Sequence, residues 1–246
     1  MQRIRKFIKQ ITAARLSPPR QPLVYQWHDA QGRSGLPRGK IRPSRPLPKP
    51  VLLGKATTPF DFTHHMRQLC QDIIERTPDL GHIDLGRVLL TISRARTRRP
   101  YGLQAKVTPL RFKHGKLTTK RRGWMYQVQQ YYVGEVEMLY LLSFCLPRFL
   151  NLSFEEKMVT IVHELFHFSP EFNGDLRRHE GRYYQHSHSK KKYAQHMLGY
   201  VEAYWKTNPD TALSEFLRYS FEQLHERHGG VHGIVVPVPK IVPLVP

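Results

Sequence analysis

Hydrophobic residues recur every three or four positions between residues 62 and 77, which predicts an amphipathic helix. The apolar side of this helix consists of Phe62, Met66, Leu69, Cys70, Ile73 and Ile74. A second helical pattern follows Ser153, which forms a Ser-x-x-Glu capping box with Glu156. Pro170 disfavours helical geometry at the residue before it, so the second helix is predicted to span residues 154–168.

Short runs rich in Val, Leu, Tyr and Thr lie between these helices and predict β-strands. The predicted strands cover residues 87–95, 102–112, 125–133 and 135–144. Gly134 separates the last two runs, which predicts a tight hairpin. The aromatic residues Trp124, Tyr126, Tyr131 and Tyr132 of these strands could stack on bases, but strand aromatics are more often core residues, and we favour the core.

Residues 189–206 and 211–227 again carry a helical pattern. The tail GIVVPVPKIVPLVP contains four prolines, which predict an extended segment that cannot be a central strand. The order is therefore an amphipathic helix, a small mixed or antiparallel sheet, a second helix and C-terminal helices. This order is typical of an α+β fold.

Composition divides the chain into three parts. Residues 1–58 are rich in Pro, Gly and Arg and predict a disordered or extended arm, residues 59–230 predict a folded domain, and residues 231–246 form the proline-rich tail. The arm holds 13 Lys and Arg against one acid, Asp29, a net charge of +12 out of +20 for the whole chain. Such a field favours a polyanionic partner, and nucleic acid is a more plausible one than an anionic membrane surface. The alternative is a solvated linker.

The chain contains two cysteines, Cys70 and Cys145, too few for a disulfide framework or a four-thiolate zinc site. We expect both to be buried thiols in a reducing compartment. No apolar run approaches the roughly 18 residues of a spanning helix, and the N-terminus has no hydrophobic signal region. The sequence therefore predicts a cytoplasmic protein without a membrane segment.

The second helix carries the candidate chemistry in the run His163-Glu164-Leu165-Phe166-His167. Histidines four residues apart project from one face of a helix, so two imidazole nitrogens can reach one metal ion. Glu164 lies about 100° further round the helix, where it can take a proton from a water molecule that the metal activates. The alternative is a chance pairing in a chain with 14 histidines, but a largely buried helix would then carry costly polar groups.

A catalytic zinc needs a third protein ligand and an open position. The downstream candidates are Glu171, Asp175, His179, Glu180, His186 and His188. Glu171 follows the proline break and should point away, whereas the turn at Asn173–Gly174 brings the chain back. We favour His179, with His186 as the alternative. Tyr183, Tyr184 or Arg178 could stabilise an oxyanion, although ordinary core and surface roles are favoured for them.

The segment HELFHFSPEFNGDLRRH resembles the signature H-E-L-x-H-x-x-P-x-F-x-G-x-L-x-x-H of phage metallopeptidases, a group similar to the SprT-like zincins. The resemblance extends over residues 60–205 and is specific over residues 160–180. It implies a zincin-like fold, His163, His167 and His179 as zinc ligands, and Glu164 as general base. Asp175 stands where the signature has a small or apolar residue, which leaves its role open.

These observations predict a zinc-dependent hydrolase, and within that class a peptidase that acts on a protein or peptide substrate. An extended substrate would pair with an edge strand of the sheet. The competing hypothesis is a nucleic-acid-binding protein with a structural metal site. The two can also be combined, with the basic arm delivering a protease to proteins bound to nucleic acid.

Overall fold

The computed structural model describes residues 59–95, 102–178 and 190–244, and their architecture is α+β, as predicted. The helices are α1 (Phe62–Arg76), α2 (Phe154–Phe166), α3 (Lys190–Lys206) and α4 (Phe221–His228). The strands are β1 (Phe60–Asp61), β2 (Val88–Arg94), β3 (Ala105–Pro109), β4 (Thr118–Arg121), β5 (Trp124–Val128), β6 (Tyr131–Val133), β7 (Val136–Met138), β8 (Tyr140–Leu146), β9 (Val231–His232) and β10 (Ile241–Leu244). No helix among the described residues is long and apolar enough to cross a membrane.

A three-stranded sheet in the order β2-β8-β3 forms the centre of the domain. β2 is parallel and β3 antiparallel to β8, so the sheet is mixed. Side chains alternate between the two faces of a strand, and Leu90, Leu142 and Val107 belong to the same buried cluster as α1 and α2. Leu89 and Leu141, on the opposite face, pack instead against residues of the smaller sheets.

Two smaller sheets cover part of that opposite face. β6 and β7 form the hairpin predicted at Gly134, which has a φ of 61°. The other sheet has the order β10-β5-β4. Its edge strand β10 belongs to the tail, and Pro243 pairs there with Tyr126. The tail is therefore extended and at an edge, as its prolines predict.

Two strand predictions need correction, and one strand was missed. The run 125–133 is divided between β5, which pairs with β4 and β10, and β6, which pairs with β7 in a separate sheet. The run 135–144 is divided at Leu139, whose N–H and C=O pair with Arg87 and Leu110 as the chain passes to the central sheet. β4 was not predicted, because its sequence TTKR has no buried side chain.

The capping box of α2 is present as predicted, but the helix ends at Phe166 and not at residue 168. His167 is the C-cap, and its N–H bonds to the carbonyl of Glu164 only three residues back. The last turn thus tightens, a common way for a helix to end.

The first helix prediction is confirmed by α1, and the range 189–206 agrees with α3 where the chain is described.

The prediction of one helix over residues 211–227 is wrong. Residues Thr211–Arg218 form a 3₁₀ helix, and α4 begins after Ser220, which makes its own capping box with Gln223. The ammonium group of Lys157 accounts for the break, since it donates to the carbonyls of Leu217 at 2.8 Å and Tyr219 at 2.9 Å. Burial lowers the pKa of Lys157 to about 8. A buried cation on α2 thus holds the segment that precedes α4.

Candidate metal centre

Helix α2 places His163 and His167 on one stripe of its surface. Its opposite side is fixed in the core, where Ile161, Val162 and Leu165 are at most 1% exposed. Both histidines are only half-buried. Their Nε2 atoms lie 2.9 Å apart, and the two ring planes are nearly perpendicular, at 84°. The i, i+4 spacing therefore brings the two imidazole nitrogens together, as predicted.

Glu164 lies beside this pair and is buried, with 7% of its surface exposed. Its Oε2 accepts a hydrogen bond of 2.9 Å from the backbone N–H of Val107 in strand β3. One carboxylate oxygen and one nitrogen of each histidine lie within 4.8 Å of one another. Among the described residues, this is the one group of three His, Cys, Asp or Glu side chains that could hold a metal ion.

The environment of Glu164 favours its neutral form. Burial raises its pKa to about 7, although the N–H of Val107 and the positive charge of Lys106 both act to lower it. Desolvation destabilises a carboxylate more than one hydrogen bond restores. A carboxyl group in these surroundings is able to exchange a proton near neutral pH.

After α2 the chain turns and runs back beside His167. Phe168 and Leu176 form an antiparallel bridge, and the N–H of Arg177 donates to the carbonyl of His167 at 2.8 Å. The turn uses Gly174 at a φ of +88°, where a side chain would also collide with Arg111. The predicted return of the chain at Asn173–Gly174 is therefore confirmed as far as Arg178.

The favoured third ligand, His179, lies outside the described residues, as do Glu180, Tyr183, Tyr184, His186 and His188. Glu171 is exposed and accepts a hydrogen bond from the side-chain amide of Asn173. The guanidinium group of Arg178 pairs with Asp175. The segment that ends at Arg178 thus brings the chain back next to His167, and His179 follows directly.

Asp175, whose role the sequence left open, secures this return. It is 6% exposed and accepts hydrogen bonds from the backbone N–H groups of His114 and Leu176 and from Arg178. Burial alone would raise the pKa of Asp175, but these hydrogen bonds outweigh it and hold the pKa below its ordinary value. The carboxylate is committed to the turn and is not a candidate metal ligand.

We expect Asp175→Ala to lower the free energy of unfolding by about 2–4 kcal/mol, because buried donors lose their charged acceptor. The contribution of Asp175 is fully present above its unfolded pKa of about 3.9 and is lost as the pH falls through the lower folded value. The variant should therefore lose less stability than the parent on acidification below about pH 4. Urea denaturation at pH 7 and pH 3 measures both effects.

The matched control for Asp175 is Glu215→Ala, which removes an exposed carboxylate from an ion pair with Arg218. Exposed pairs of this kind contribute about 0–1 kcal/mol. A loss after Asp175→Ala no larger than after the control would show that the turn does not depend on this carboxylate.

Two contacts of the centre were not predicted from the sequence. Val107 donates a hydrogen bond to Glu164 from its backbone N–H. Every residue except proline has such a group, so the sequence does not indicate which one makes the contact. The phenol of Tyr140 donates to the carbonyl of Asp175 and accepts from the N–H of Gly174, so it supports the turn from the central sheet. A tyrosine in an apolar strand gives only a weak signal for such a role.

No protein-family model, curated protein or solved structure matches this chain.

Proposed function

We propose that this protein is a zinc-dependent metallohydrolase of the zincin type, and within that class a peptidase. The observation that carries the proposal is the arrangement on α2, where two imidazole nitrogens 2.9 Å apart stand beside a buried carboxylate anchored to strand β3. A capped α-helix next to a small sheet also agrees with the resemblance of residues 160–180 to phage metallopeptidases.

The donor set fits zinc. Two histidine nitrogens 2.9 Å apart are close enough for one zinc ion to be bound by both. His163 and His167 would hold the ion, and His179 is the proposed third ligand. Zinc bound there would lower the pKa of a water molecule toward about 7 and polarise a substrate carbonyl.

Glu164 would serve as the general base. Its Oε2 is oriented by the N–H of Val107, which leaves Oε1 to accept a proton from the attacking water. The same carboxyl group can then deliver the proton to the leaving amine. The contact with Val107 fixes the side chain on the sheet, so its position does not depend on the substrate.

The surroundings of the centre suit an extended peptide. Among the described strands, β3 pairs with β8 alone, and a substrate would pair with its other edge, where the N–H of Val107 is already bonded to Glu164. A cleft of about 520 Å³ lies beside the N-terminal half of α2, one helical turn from His163. The cleft is lined by Gln104, Leu152, Ser153, Glu155, Glu156, Val159 and Thr160.

Removal of the metal tests this proposal. Treatment with 1,10-phenanthroline is expected to abolish casein hydrolysis, and one equivalent of zinc should restore it. Circular dichroism before and after treatment shows whether the fold persists. Hydrolysis that continues in the metal-free protein would contradict a zinc mechanism.

We also propose that the basic arm, residues 1–58, binds nucleic acid without sequence preference. Its net charge of +12 implies binding by counterion release, so affinity should fall steeply as salt rises. Deletion of residues 1–58 is expected to weaken binding of both DNA and RNA at 50 mM salt and to leave the thermal midpoint unchanged. Unchanged affinity would instead favour the solvated linker.

The thiols of Cys70 and Cys145 are free and buried, which supports the proposal that the protein functions in a reducing compartment such as the cytoplasm.

A further inference from the structure

A second concentration of positive charge lies inside the folded domain. Residues 87–134 contain 12 Lys and Arg and no Asp or Glu. Within this stretch, the hairpin of β4 and β5 carries Lys120, Arg121 and Arg122, all exposed. Lys240 is the one charged residue among residues 233–244, which contain the third strand of that sheet. The charged side chains on and directly beside the sheet β10-β5-β4 are therefore all basic, and most of them lie at the turn between β4 and β5.

One face of this sheet presents two aromatic rings side by side. Residues directly opposite each other in an antiparallel pair share a face, as do residues two apart in one strand. The register pairs Arg121 with Trp124 and Thr119 with Tyr126, so these four side chains share a face. Along β5, Trp124 and Tyr126 are separated by about 6.8 Å of strand rise.

Trp124 is exposed over 53% of its surface, and Tyr126 is half-buried. The neighbouring Tyr131 is only 2% exposed and belongs to the core, as expected for a strand aromatic. Ile241 on the adjacent strand β10 is also exposed, at 49%. Trp124 and Ile241 together leave apolar surface in solvent beside several cations, a combination typical of a surface that binds a partner.

We propose that this face of the sheet binds single-stranded nucleic acid. Bases of an extended strand would stack on Trp124 and Tyr126, and Arg121 and Arg122 would contact its phosphates. Aromatic platforms flanked by basic residues are the usual means of binding single strands without sequence preference. A duplex offers no free base faces to these rings, so the single strand is the better match.

Charge excludes the other occupants that the chain itself could supply. The arm, residues 1–58, has a net charge of +12, and a second copy of the chain has a net charge of +20, so both would be repelled. The proposed surface does not involve α2 or a metal ion. It is therefore independent of the proposed hydrolase activity and of nucleic-acid binding by the arm.

The experiment uses the full chain with Trp27→Phe and Trp205→Phe, which leaves Trp124 as the one tryptophan out of three. The probe is a 15-nucleotide oligo(dT) carrying a fluorescein label for anisotropy. An unlabelled copy is used for tryptophan quenching. We expect oligo(dT) to quench Trp124 and to bind at 50 mM salt. Trp124→Leu should weaken binding about ten-fold, the typical effect of losing one stacked base, whereas Trp124→Phe should retain most of the affinity.

Arg121→Ala provides a second readout, at an exposed position whose guanidinium group lies 5.9 Å from the centre of the Phe112 ring. Each lost phosphate contact lowers the slope of log affinity against log salt by about 0.7 for a single strand. The matched control is Lys206→Ala, which removes an exposed lysine at the end of α3. Because this charge is distant from the proposed surface, the substitution should change neither the salt slope nor the affinity by more than the experimental error.

Equal affinity for oligo(dT) in the parent and in Trp124→Leu would overturn the proposal, as would the absence of quenching. Two further probes are a 15-base-pair duplex and vesicles containing 30% phosphatidylserine. The proposal would also be overturned if binding of either probe depended on Trp124 and binding of oligo(dT) did not. Should Trp124→Leu be unstable by circular dichroism, the Arg121→Ala slope and the quenching of Trp124 decide the outcome.

Discussion

Glu164→Gln is expected to leave a folded protein that binds zinc but whose peptide hydrolysis falls by about 10²–10⁴-fold, the usual contribution of a general base. The glutamine amide oxygen can still accept the hydrogen bond from Val107, and the neutral side chain is no harder to bury than the carboxyl group. The amide cannot take a proton from water, so the chemical step alone is lost. Cleavage of fluorescent casein at fixed zinc measures the rate.

The matched control for Glu164 is Glu202→Gln on α3, an exposed glutamate that should leave hydrolysis unchanged. Zinc content and thermal midpoint are measured on the same samples, so loss of metal or fold cannot be mistaken for loss of the base. A Glu164→Gln protein that cleaves casein at the parental rate would favour a structural metal site and, with it, the nucleic-acid-binding alternative.

His163→Ala and His167→Ala are each expected to abolish stoichiometric zinc binding. Both Nε2 atoms would contact the ion. Loss of a residue that only hydrogen-bonds to a metal ligand weakens metal affinity by roughly 10–100-fold, so loss of a ligand itself should weaken zinc affinity by more than that. His179→Ala should lower zinc occupancy markedly, whereas His186→Ala should not. Plasma mass spectrometry of protein dialysed against buffered zinc measures occupancy.

The histidine series includes its own control in His196→Ala, an exposed position on α3 outside the candidate metal group. If His186→Ala lost zinc while His179→Ala kept it, the third ligand would be His186. If His163→Ala and His167→Ala both retained one zinc per chain, the ion would have to lie elsewhere, and the proposed centre would be wrong.

Local chemistry made several features predictable. The capping box of Ser153 and Glu156 marks the start of α2, and helix geometry then determines which side chains share a face. The meeting of His163 and His167 therefore follows from residues a few positions apart. Gly134 is similarly sufficient for its hairpin, because a φ of 61° strains most other residues.

Features that depend on distant segments could not be read from the sequence. Glu164 and Val107 are 57 residues apart, and their contact requires the edge of the central sheet to lie against α2. Lys157 determines where the helix after residue 211 breaks, from 60 residues away. The division of residues 125–133 into two strands depends on partners in different sheets, since β5 pairs with β10 of the tail and β6 pairs with β7. In each case the outcome depends on a tertiary contact that local propensity does not encode.

The proposed hydrolysis of peptide bonds at the centre on α2 depends on Glu164 as the base. In the most direct measurement, a proteome-derived peptide library is incubated with the zinc-loaded parent protein and, separately, with the zinc-loaded Glu164→Gln variant. New peptide termini are then counted by mass spectrometry. New termini are predicted with the parent protein and not with the variant. Equal counts from the two proteins, each holding one zinc, would contradict the claim.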